Sequence, residues 1–299
     1  MAYPLPTEHE RRALFRWLEQ ASSLTAWQRL NSYHQRFVEL VRSMHEEEQR
    51  TAGMKRTIEE KELSDLLLAQ GALDAALVRL KDGDRGCFDG LGSGGRFREG
   101  SSRVLWWDDM YIGAMFGRNG FGPIDSPRLE EFKTAMGECV LALSDIGVVL
   151  LRSDPDGPAL ISDVPSYTAG RGDSLIKWWL EQKDLPPVPL ADPEVLVPTG
   201  QVVPHYGIWE PVREPATLIE RLTRHRPLDG CMNYLHGGSA APTIEFEEDE
   251  EPEKGRPTTW RLLWRDDRYG RNAVPQHERN YVFVEPVKGN DRYAYPQAG

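Results

Sequence analysis

Apolar residues recur at helical spacing through the first third of the chain. Thr7 and Glu10 form a capping-box pattern ahead of Leu14, Trp17, Leu18 and Ala21. From about Thr25, the residues Trp27, Leu30, His34, Phe37, Val41 and Met44 fall at alternating steps of three and four. Such a seam predicts a long helix buried in an antiparallel bundle, with Glu46, Glu47, Glu48 and Arg50 on its outer face. A third helix is predicted over 58–80, with Leu63, Leu66, Leu73, Leu77 and Leu80 inward and Gly71 as a weak point. Long helices with short breaks between them pack antiparallel.

The pattern breaks over 82–125. Eleven glycines lie between Gly83 and Gly122, interleaved with Phe88, Phe97, Trp106, Trp107, Tyr111, Phe116 and Phe121. This predicts an irregular connection pinned by aromatics, with a short helix over 107–116. Gly90, Gly92, Gly94 and Gly95 do not make a phosphate loop, because no Lys-Ser/Thr follows and no apolar strand precedes them. Ser126 and Pro127 then start a helix whose inner face is Leu129, Phe132, Met136, Val140 and Leu143, ended by Gly147. Residues 148–151 predict a buried strand or an apolar continuation. A short helix carries Trp178 and Trp179. Five prolines keep 184–198 irregular.

The last third changes period. A helix is predicted over 215–225. Thr243 to Glu247 alternates with a period of two, and so does Thr258 to Asp266. In the second of these Trp260, Leu262 and Trp264 share one face, and Arg261 and Arg265 lie opposite. The two segments predict an antiparallel hairpin, and 281–284 a further strand. The expected fold class is α+β: an N-terminal helical bundle over 1–152, then a mixed region with an antiparallel sheet over 153–299.

Composition narrows the function. The 299 residues carry a net charge of −11, which argues against an anionic membrane or direct nucleic-acid binding as partner. Cys87, Cys139 and Cys231 lie far apart and are odd in number, so a disulfide framework is not expected. The first twelve residues lack a secretory pattern, and no apolar run spans a bilayer; a soluble cytoplasmic protein is expected. No metal or cofactor pattern stands out. Cys231 with His236, or Asp266 and Asp267 with Glu210, are the places where an enzyme reading starts, but none has a recognised catalytic or ligand spacing, and Arg265, Asp266, Asp267 and Arg268 read rather as an ion-pair cluster at a strand end. His34 sits in the apolar seam and reads as a satisfied core residue.

One surface feature stands out. Seven carboxylates occupy nine positions from Glu245 to Glu253: Glu245, Glu247, Glu248, Asp249, Glu250, Glu251 and Glu253. On its own such a run is a solvated charge cluster. Beside Trp209, Arg261, Arg265, Asp266 and Asp267 it reads as a surface for gripping a basic protein, since Trp and Arg are enriched in interface hot spots.

The Trp209-Glu210-Pro211 turn, the block from Asn233-Tyr234-Leu235 to Gly238 and the strand from Trp260 to Tyr269 carry a family resemblance. The chain resembles immunity proteins of bacterial polymorphic toxin systems, the groups numbered 71 and 72, found beside type VI secretion effectors. The resemblance covers mainly 200–286, and the helical half is consistent with it. It implies a non-enzymatic protein that binds one cognate toxin, here a cytoplasm-acting one such as a nuclease. The charge adds a basic toxin as the expected partner. A homodimer, an effector-loading adaptor and an uncharacterised hydrolase stay open as alternatives.

Overall fold

A computed structural model describes residues 5–88, 96–150, 160–161, 175–192, 194–214, 226–245, 255–270 and 273–284. Six α-helices lie among them: α1 Glu8–Ala21, α2 Leu24–Arg50, α3 Glu60–Lys81, α4 Arg96–Met115, α5 Leu129–Ile146 and α6 Leu175–Glu181. The strands are β1 Leu160–Ile161, β2 Leu196–Pro198, β3 Gly207–Val212, β4 Asn233–Leu235, β5 Ile244–Glu245 and β6 Thr259–Arg265. The fold is α+β, with the helices mostly N-terminal and a four-stranded antiparallel sheet in the C-terminal half.

The helices follow their sequence signals closely. Thr7 caps α1, and the reciprocal Glu10 side chain completes the capping box. The α2 seam is buried as spaced, from Trp27 to Met44, but Glu48, expected on the outer face, is buried and accepts from the Thr57 N–H at 2.8 Å. Gly147 caps α5, and residues 147–150 continue it as an apolar 3-10 turn rather than a strand. The stretch before α5 differs from expectation. Instead of an irregular connection with a short helix over 107–116, Arg96 to Met115 form a 20-residue helix. Its aromatics are core anchors: Phe97 stacks on Trp27 at 4.1 Å, and Trp107 sits edge-on to Phe37 at 5.9 Å. Glycine was the misleading signal, since Gly100 is there to let α4 close on α3. A Cβ at Gly100 would lie 2.5 Å from Leu73 Cγ.

The sheet order is β2-β6-β3-β4. The expected hairpin between 243–247 and 258–266 is not a ladder. Ile244 and Arg256 make one antiparallel bridge, β5 pairs parallel with β1, and β6 spends its hydrogen bonds on β3 and β2. Trp209-Glu210-Pro211 is the middle of β3, not a turn. Residues 281–284 form no strand. They run along the helices, where Gln20 Nε2 donates to Val282 O and Arg29 Nη2 to Val284 O. The expected helix over 215–225 lies outside the described residues.

A bulge decides which way β6 faces. Ile208 is opposite Trp264 but Trp209 is opposite Leu262, leaving Leu263 as the extra residue. Trp260 and Leu262 therefore join Val197, Val203, Trp209, Leu235, Ala241 and Ile244 in one cluster. Leu263 and Trp264 pack instead against the cluster that holds the helices, with Trp264 edge-on to Phe15 at 6.3 Å. The three-residue face expected from strict alternation is broken there. Gly207 is needed at this point, because a Cβ would sit 2.1 Å from the Trp264 carbonyl oxygen. The helix cluster draws Ile208, Cys231, Met232, Tyr234, Leu263 and Tyr269 from beyond residue 152, so one core spans both expected regions.

Candidate partner-binding surface

The residues singled out by sequence fall into three places. Trp209 is fully buried in the second cluster, with its indole N–H donating to His205 O at 3.3 Å. Asp266 is buried too, its side chain 0 % exposed. Neither faces solvent in the isolated chain, because both close the protein's own interior. Arg265 and Asp267 are exposed and pair with each other at 2.8 Å. Arg261 is partly exposed and bonded to Glu210. Glu245 ends β5, while Glu247, Glu248, Asp249, Glu250 and Glu251 lie outside the described residues.

The structure fixes where that acidic segment leaves and rejoins the fold. Ile244 N–H donates to Arg256 O at 3.0 Å, and Arg256 N–H donates back to Ile244 O at 2.7 Å. The carboxylates are thus held between β5 and the start of β6. Arg265 and Asp267 sit at the other end of β6, about 20 Å from its first residue Thr259 at 3.3 Å per residue.

At that end of β6 the expected ion-pair cluster of Arg265, Asp266, Asp267 and Arg268 forms, and it belongs to a buried charge network whose links to Arg85 and Tyr234 sequence reading did not reach. Asp266 accepts from Arg85 Nη2 at 2.6 Å, from Arg268 Nε at 2.8 Å and from Tyr234 Oη at 2.9 Å. Burial alone would push its carboxyl up, but the two guanidiniums outweigh that and hold it below the usual carboxylate range. Arg268 also reaches Glu19 O at 3.0 Å and Ser22 Oγ at 2.7 Å on α1 and its C-cap. Glu278, buried, bonds Tyr269 Oη and accepts from Thr25 Oγ1 at 2.9 Å. Tyr269 Oη in turn accepts from the Leu24 N–H at 2.7 Å. Burial raises the Tyr269 and Tyr234 hydroxyls well above their ordinary range, so both stay protonated donors. A second joint is Glu210, which binds Arg11 Nη2 at 2.7 Å and the Arg261 guanidinium. These side chains bolt the first helices to the sheet. Their partners lie far apart in sequence, so no local pattern announces them.

The enzyme readings gain no assembled site. Cys231 is fully buried, and His236 is buried with Nε2 on Val149 O at 2.7 Å. Asp266 is committed to its ion pairs, and Glu210 to Arg11 and Arg261. Among the described residues no group of three His, Cys, Asp or Glu side chains is placed to hold a metal ion. No described helix is long and apolar enough to cross a membrane. A cleft of about 320 Å³ opens where α1 and α6 meet the C-terminal segment, walled by Arg16, Glu19, Trp179, Pro186 and Tyr281. It is shallow and mainly apolar.

Two family models match the chain. The model described as Immunity protein 71 matches residues 5–139, and that described as Immunity protein 72 matches residues 187–282. No curated protein and no solved structure matches it. The first match covers α1 to most of α5, and the second covers the four-stranded sheet and the Glu278 joint. Proteins of these families are generally non-catalytic inhibitors that neutralise a toxin. With both halves of the fold matched, the chain belongs to the immunity proteins of the polymorphic-toxin type.

Proposed function

We propose that this chain neutralises its cognate toxin by direct binding in the cytoplasm, without catalysis, and that the toxin presents a basic, nuclease-like face. A type VI secretion system is the proposed delivery route for that toxin. The observation that carries the charge reading is the acidic segment, seven carboxylates in nine positions, held at its two ends by the Ile244–Arg256 bridge. A dense run of carboxylates attracts Lys- and Arg-rich surfaces and pairs with the groups that otherwise hold phosphates. The exposed Arg265 and Asp267 extend the contact along β6.

Co-expression with the cognate toxin tests the reading. The expected result is a stoichiometric complex that restores growth and abolishes nucleic-acid cleavage by the toxin in vitro. Binding without protection would replace it with the adaptor reading. Turnover of a substrate panel by the purified chain would replace it with a hydrolase.

A further inference from the structure

Between α6 and β2 the chain runs through Leu185, Pro186, Pro187, Val188, Pro189, Leu190 and Ala191. This stretch is neither helix nor strand, yet its burial repeats every three residues. Leu185 is buried, Val188 and Ala191 are half-buried, and the pairs between them are exposed. A period of about three is that of a polyproline II helix, which has no internal hydrogen bonds. Proline holds its own φ at about −65°, and Leu185, Pro186 and Val188 are each kept extended by the proline that follows. Accordingly, residues 185–191 make no backbone-to-backbone hydrogen bond among the described residues.

Both ends of the stretch are tied to the fold. Arg12 Nη1 on α1 donates to Leu185 O at 3.2 Å, and the Asp192 N–H donates to Leu262 O on β6 at 3.1 Å. One edge is docked, with Val188 and Ala191 packed against the helix cluster. The other two edges stand exposed: Pro186 with Pro189, and Pro187 with Leu190. Leu190 is 98 % exposed, the most of any large apolar side chain among the described residues. Pro186 also walls the cleft that Trp179 and Tyr281 line, so the ridge borders that cleft.

We propose that this ridge is a second toxin contact, received in a groove walled by Trp and Tyr side chains of the toxin. The inference rests on the neutralisation reading above. Such a groove suits the ridge because the proline rings and Leu190 offer apolar faces at a fixed spacing, while the free carbonyls accept from indole N–H and tyrosine hydroxyl groups. The ridge is already ordered, so binding costs it little chain entropy. A pairing strand is a poorer occupant, because Pro186, Pro187 and Pro189 have no N–H to give to a ladder. Charge points to the toxin. Glu181, Asp184, Asp192 and Glu194 are exposed around the ridge, against Lys183 alone. They draw the same basic surface as the acidic segment does, and they repel a second copy of this ridge.

Stopped-flow binding of the full chain to its cognate toxin tests this. Leu190→Ser, and Pro186→Ala combined with Pro189→Ala, should each bind at least about ten-fold more weakly than the parent, through faster dissociation. The salt dependence of association should stay at the parent's, which sets the ridge apart from the acidic segment. The three positions are exposed, so both variants should keep the parent's melting temperature. If the double variant does not fold, Leu190→Ser decides. A benzophenone attached to Leu190→Cys, where the three native cysteines are buried, should cross-link to a toxin segment that contains Trp or Tyr. A folded variant with parent-like affinity, or cross-links confined to toxin segments without Trp or Tyr, would overturn the ridge contact and leave the neutralisation reading standing. A parent that binds no toxin would overturn both.

Discussion

Arg85 and Asp266 stand 181 positions apart in sequence and meet through a 2.6 Å hydrogen bond, with side chains 3 % and 0 % exposed. Arg85 follows α3 and Asp266 follows β6, so the pair ties helix to sheet where no solvent screens it. Arg268 and Tyr234 complete the carboxylate's coordination. Removing one member of such a set leaves buried charge uncompensated. Asp266→Ala is expected to destabilise the fold by about 3–5 kcal/mol in urea denaturation. The folded-state pKa of Asp266 is depressed, so its contribution is present above the unfolded carboxylate value, about 3.9, and is lost as pH falls below it. The parent should therefore lose stability faster than Asp266→Ala below about pH 4. Parallel acid curves would show that the network does not hold Asp266 ionised.

Glu210 is the second joint, between α1 and β6. Its carboxylate serves both Arg11 and Arg261 and is itself 2 % exposed, while the arginines are 19 % and 20 % exposed. Burial would lower the Arg11 guanidinium, yet Glu210 outweighs it and raises it. Glu210→Gln should cost about 2 kcal/mol, within the range for hydrogen bonds to charged groups. Arg11→Met should cost less on that background than in the parent, because the two act on one interaction. Additive effects in a double-mutant cycle would show that the Arg11–Glu210 contact carries no energy of its own.

These joints also show where sequence reading stops. Caps and helix seams are local, so Thr7 and the Trp27–Met44 seam announced their own elements. The antiparallel sheet was legible from period two at Thr258–Asp266. The bulge at Leu263 was not, because a one-residue slip leaves composition unchanged while turning Trp264 toward the helices. Segment 281–284 has a strand's composition, but Gln20 and Arg29 take its carbonyls. Trp209 and Asp266 looked like surface anchors because Trp and charge mark interfaces. Asp266 is buried against Arg85, 181 positions away, and Trp209 inside a cluster drawn from several strands, and neither is visible in a local window.

His34 offers a test near neutral pH. It is buried in the α2 seam, and its Nδ1 lies 2.7 Å from Gln70 Oε1. Burial lowers its pKa, and the Gln70 contact and the nearby Asp74 charge only partly oppose this. The folded chain therefore resists protonating it. Its contribution is present above the unfolded histidine value, about 6.5, and is lost as pH falls below that. The urea midpoint should drop between pH 7.5 and 5.5, two values chosen to bracket roughly 6.5. His34→Gln, which keeps an amide beside Gln70 without a titrating ring, should show a smaller drop. An equal drop would place the titration elsewhere.

The acidic segment gives the sharpest test of the partner reading. Replacing Glu247, Glu248, Glu250 and Glu251 by Gln removes four charges while keeping size and polarity. The bridge that closes the segment is made of backbone bonds between Ile244 and Arg256, so the variant should keep the parent's melting temperature. A polyanionic surface acts at a distance and speeds encounter with a basic partner, an effect that salt screens over about 10 Å at 0.1 M. Packed anchors act only on contact and govern departure. The variant should therefore associate with the toxin at least several-fold more slowly at low salt, with a flatter salt dependence and a dissociation rate close to the parent's. Stopped-flow binding across a salt series reads all three. If association rate and salt slope match the parent's, the carboxylates serve solubility alone, and the contact belongs elsewhere, first on the N-terminal helices.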